Sequence, residues 1–120
     1  MAQFKPHELV EWIQMSSWSP YNNGITIGAK GPEGDVILMD ETHPIGARIT
    51  IKQGAQYVSV SCNIYNWINH TRFFGTVIEA KREFANMETA LMEIIGLLSA
   101  REIDKIKVWE AISNFVRRFP

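Results

Sequence analysis

The chain has 120 residues, 46% of them hydrophobic and 21% charged, with a formal net charge of −1. That length and composition suit one globular domain with a continuous core. The balanced charge excludes a global field for nucleic acid or an anionic membrane, and no window holds the ~18 uninterrupted apolar residues of a membrane span.

In the first segment, Pro6 can start a helix because its missing N–H would be unpaired there anyway. Leu9, Val10, Trp12 and Ile13 recur at helical spacing up to Met15. The spacing predicts a short N-terminal helix. Charges at Lys5, Glu8 and Glu11 occupy the place where a signal peptide needs an apolar run, so the chain is read as cytoplasmic. Residues 16–34 hold two prolines, four glycines and Asn22-Asn23, which is loop chemistry, with Ile25-Thr26-Ile27 as a candidate short strand.

From Asp35 the period changes. Val36 to Met39 is a compact apolar run, followed by Asp40-Glu41-Thr42-His43-Pro44, read as a turn. Ala47 to Lys52 alternates strictly, Gly54 supplies a reversal, and Tyr57 to Tyr65 alternates again over nine residues. Trp67 to Phe74 completes the set. Connections this short predict an antiparallel meander of about four strands over residues 35–74.

After Gly75 the period is helical. Thr76 and Glu79 fit the capping box, and Ala80, Phe84, Met87, Leu91, Ile94, Ile95 and Leu98 form an apolar stripe. Ser99 and Glu102 repeat the box, predicting that a second helix starts there. Its stripe is read as Ile103, Ile106, Trp109, Ile112, Phe115, Val116 and Phe119, with Trp109 buried. The fold class is therefore α+β: a short N-terminal helix, a β-meander, and two C-terminal helices packed on one sheet face.

Alternation divides the sheet. Ile49, Ile51, Val58, Val60, Cys62 and Ile64 fall on one face, and Arg48, Thr50, Lys52, Tyr57, Ser59, Ser61 and Asn63 on the other. A two-residue hairpin turn at Tyr65-Asn66 sets Ser61 opposite His70 and Ser59 opposite Arg72. The polar face then gathers Arg48, Ser59, Ser61, His70 and Arg72, flanked by aromatic residues. With Tyr65 these form the candidate ligand- or partner-binding set. Solvated half-polar sheet faces are common, so the pattern is also what a face without a specific task looks like.

Several chemistries are discounted. Cys62, the single cysteine, points to the apolar face and behaves as a small hydrophobe, and one cysteine excludes CxxC or Cys/His zinc frameworks. His7, His43 and His70 form no HExxH or HxH pair, and the glycines form no phosphate cradle. No catalytic residue, metal or cofactor is predicted. The C-terminal charges mix signs, which is an ordinary helix face rather than a nucleic-acid stripe. The expected function is a small non-enzymatic interaction domain with a protein partner, of antagonist or immunity type, or a homodimer. The alternative is a small enzyme or ligand-binding domain with a pocket between sheet and helices, tested first at His70, Arg72 and Tyr65.

Overall fold

A computed structural model describes residues 18–120. The helix expected near Pro6 to Met15 lies outside the described residues. The described chain is α+β, with a five-stranded antiparallel sheet in the order β1-β2-β3-β4-β5. The strands are β1 (Ser19–Pro20), β2 (Val36–His43), β3 (Ala47–Gln53), β4 (Val58–Ile64) and β5 (Ile68–Phe74). Two helices follow, α1 (Val77–Leu98) and α2 (Lys105–Arg118).

The strand count exceeds the expected four because Ser19 and Pro20 pair with Thr42 and Glu41. That pairing exists because β2 runs on through Asp40 to His43, the stretch read above as a turn. Its alternating side chains find partners in β3, and the reversal falls at Pro44 to Gly46, where Gly46 takes a left-handed φ of 100°. The candidate strand at Ile25-Thr26-Ile27 is a turn instead, entered through Asn22 and Asn23 at φ 47° and 57°. Two asparagines tolerate that left-handed backbone better than most residues.

The β3–β4 register is the one alternation implies: Ile49 faces Cys62 and Ile51 faces Val60, while Arg48, Thr50 and Lys52 face Asn63, Ser61 and Ser59. The β4–β5 register differs by one residue from the expectation. Ile64 pairs with Ile68, so three residues make the connection and only Asn66, at φ 70°, is left-handed. A two-residue type I′ turn needs positive φ at both central positions, which Tyr65 resists. The slip turns every side chain of β5 over.

Helix α1 lies across β3, β4 and β5. Its buried residues are the stripe read from sequence, Ala80 to Leu98, and they close on Ile49, Ile51, Val60 and Cys62. Thr76 caps it, accepting from the Glu79 N–H at 3.2 Å. Helix α2 starts later than expected. Ser99 instead ends α1 by donating to the Ile95 carbonyl at 2.7 Å, and Asp104 caps α2 by accepting from the Lys107 N–H. The core face of α2 is Val108, Ala111, Ile112 and Phe115.

Candidate functional site

The corrected register decides which polar residues can serve a site. Cys62 pairs with His70 and Val60 with Arg72, which puts His70 and Arg72 on the helix-covered face. There His70 bonds through Nε2 to the Phe119 carbonyl, and Arg72 Nε donates to the Pro120 carbonyl at 3.2 Å. Arg72 also lies 3.5 Å from the Glu83 carboxylate, an ion pair without hydrogen-bond geometry at its buried Nη1. Both residues tie the end of α2 to β5. Tyr65 stands in the β4–β5 turn, 76% exposed.

Arg48, Ser59 and Ser61 do share the open face, with Thr71 opposite Ser61 and Phe73 opposite Ser59. Ser61 and Thr71 exchange a hydroxyl hydrogen bond at 2.9 Å. Arg48 is committed to a partner that sequence reading had assigned to a turn. Asp40, only 2% exposed, receives Arg48 Nε at 2.9 Å and Nη2 at 2.7 Å, Thr50 at 2.9 Å and Thr26 at 2.8 Å. Burial opposes ionisation of Asp40, but these four donors outweigh it and hold the carboxyl below its ordinary value. The Tyr21 ring covers the Arg48 guanidinium at 3.7 Å, so residues 21–26 are clamped over this end of the face. The signal was available: an acid directly after the apolar run of β2, with arginine and threonine alternating in the next strand.

Further along the open face, Lys52, Ser59 and Phe73 form one cross-strand row. Tyr57 meets Phe73 edge to face, with ring centroids 5.0 Å apart. These residues line an open cavity of about 350 Å³ with Glu33 and Asp35.

On the other side of the molecule, α2 carries a second apolar stripe. Ile106 is 72% exposed, Trp109 50% and Val116 36%. With Ser113 they recur at a 3.5-residue spacing, about 120° around the helix from the core stripe. The expectation that Trp109 is buried therefore fails. Two apolar stripes run along one short helix, and Val108 and Ala111, small but well placed, take the inner one. Trp109 rests against Trp67 with centroids 5.2 Å apart. A shallow groove beside it is bordered by Glu110, Asn114 and Arg117.

Two further groups have no evident chemistry of their own. Burial pushes the Cys62 thiol up to about 12, against a smaller opposing effect from its backbone contact with His70. Burial beside Glu41 pushes Glu88 up to about 9. One oxygen of the Glu88 carboxyl is buried without a hydrogen-bond partner among the described residues. Among the described residues no cluster of three or more His, Cys, Asp or Glu could hold a metal, and no helix is long and apolar enough to cross a membrane.

No protein-family model matches the chain, and no curated protein or solved structure is significantly similar to it.

Proposed function

We propose that the chain is a non-enzymatic protein-interaction domain whose partner contact is the outer stripe of α2. The observation that carries this reading is Trp109, half-exposed between Ile106 and Val116 on a helix whose other stripe already serves the core. Tryptophan is among the residues that most often dominate interface energetics, and an apolar strip with a polar border is the arrangement of an interface centre. Glu110 and Arg117 supply that border.

Either a larger partner, as for an antagonist, or a second copy fits the stripe. For a second copy, Trp109 is favoured as the contact over the aromatic residues near the start of the sheet. Trp18 packs on His43 and Tyr21 on Arg48, so those rings already serve internal contacts. A reducing cytoplasm fits this reading, since Cys62 is a buried free thiol.

The test begins with sedimentation of the full chain over a wide concentration range, wild type beside Trp109→Glu and Ile106→Glu. A protein captured from the native host by cross-linking is then purified and its affinity measured against the same set. Weakening of about tenfold or more by the helix variants, with Ser61→Ala unchanged, is the expected result. Self-association or partner affinity that survives both helix variants overturns the reading.

A further inference from the structure

From the cavity at the far end of the open sheet face, we infer a binding site for a small aromatic zwitterion of the aromatic α-amino acid class. The site is independent of α2, which packs on the opposite side of the sheet, so it stands or falls apart from the proposed interaction role.

The first observation is the aromatic wall. Tyr57 and Phe73 are more than half exposed, yet they are locked against each other edge to face at 82°. Both rings line the cavity, and exposed aromatic faces and edges are surfaces on which a third aromatic ring gains. The register fixes the wall: Phe73 stands one strand from Ser59 and two from Lys52 in a single row. Neighbouring strands are about 4.8 Å apart, so the row spans roughly 10 Å. That is about the length of an amino acid with an aromatic side chain.

The second observation is the charge arrangement. Lys52 lines the cavity together with Glu33 and Asp35, but among the described residues none of the three makes an ion pair. Asp35 is held where it is. A β-carbon on Gly31 would lie 2.4 Å from its carboxylate oxygen, and the Gly31 N–H donates to the Asp35 carbonyl at 2.8 Å. Glycine at 31 therefore makes room for the carboxylate. A cation and two anions that share a cavity without reaching each other suit a ligand carrying both charges. Its carboxylate would take Lys52 and the Ser59 hydroxyl, and its ammonium Asp35 and Glu33, while its ring lies on Tyr57 and Phe73. The cavity volume, about 350 Å³, is at the small end of ligand sites and admits one such molecule.

The test is a titration of the full ¹⁵N-labelled chain with L-phenylalanine, followed by amide shifts. Two half-analogues run beside it: phenylalaninamide, which lacks the carboxylate, and N-acetylphenylalanine, which lacks the ammonium. The expected result is saturable shifts confined to residues around Lys52, Tyr57, Ser59 and Phe73. Affinity should fall about tenfold with either half-analogue and with Lys52→Met or Asp35→Asn. Lys52 is exposed, so its replacement leaves the fold intact and the variant readable. No saturable shift up to about 10 mM, shifts mapping elsewhere, or a half-analogue that binds as tightly as L-phenylalanine overturns the inference.

Discussion

Cys62 of β4 and His70 of β5 are directly opposed across the sheet and share the face that the helices cover. A thiol beside an imidazole is the beginning of a nucleophilic pair, but here the imidazole serves the Phe119 carbonyl and the thiol is buried. Thiolate is the reactive form, and a thiol pushed up to about 12 supplies almost none at neutral pH. Under native conditions Cys62 should resist iodoacetamide for hours and become labelled only in denaturant. His70→Ala should not change that order. Prompt stoichiometric labelling of the folded chain would show that the site opens.

His70 and Arg72 are predicted to stabilise rather than to bind. They hold the carbonyls of Phe119 and Pro120, and Phe119 packs on Phe115 with centroids 4.9 Å apart. Replacing either by alanine should cost ~1–2 kcal/mol through lost hydrogen bonds and exposure of the last turn of α2. Urea unfolding measures it. Unchanged stability, with loss of affinity for an identified partner, would return these residues to a binding role.

Asp40 is the polar centre of the fold. Asp40→Ala strands the Arg48 guanidinium, which is partly exposed, so the cost should lie near the lower end of the range for broken buried pairs, about 3 kcal/mol. Asp40→Asn keeps one acceptor oxygen for a threonine hydroxyl, and its amide N–H can donate to the other, so it should cost less. The pH dependence follows from the lowered carboxyl. Its contribution is present above the ordinary value of 3.8 and is lost as pH falls through the still lower folded value. Thermal melts that show Asp40→Ala and wild type equally stable would remove Asp40 from this role.

Glu88 has the opposite sign. The folded chain holds a proton that the unfolded chain releases above 4.5, so stability falls as pH rises from there toward about 9. Glu88→Gln keeps the uncharged form at every pH. Its melting temperature should exceed that of wild type by more at about pH 8 than at about pH 5. Parallel melting curves across that range would mean that burial does not hold Glu88 uncharged in the folded chain.

Trp109→Ala should cost roughly 2 kcal/mol, less than the ~3–5 kcal/mol of a fully buried tryptophan, because half of the side chain is already in water. Denaturation in urea separates the two figures. A loss at the upper end would place Trp109 in the core and weaken its candidacy as a contact.

The sequence by itself determined the elements whose signal is local and repeated. The α1 stripe from Ala80 to Leu98 matches its buried face residue for residue, because one apolar stripe at helical spacing has one way to reach a core. Alternation likewise sorted β3 and β4 into a core face and a polar face, which set Arg48, Ser59 and Ser61 on the open side. Tertiary structure decided whatever had two locally equivalent solutions. One residue in the Tyr65-Asn66-Trp67 connection carried His70 and Arg72 to the other face, since strand orientation repeats every two residues and records any slip as a full reversal. Two apolar stripes on α2 competed for one core, and Val108, Ala111, Ile112 and Phe115 took it, a choice that helical spacing alone leaves open. Asp40 could be a strand residue only where Arg48, Thr50 and Thr26 converge on its carboxylate. A buried charge is stable only when its partners are in place, and those partners are brought together by the fold.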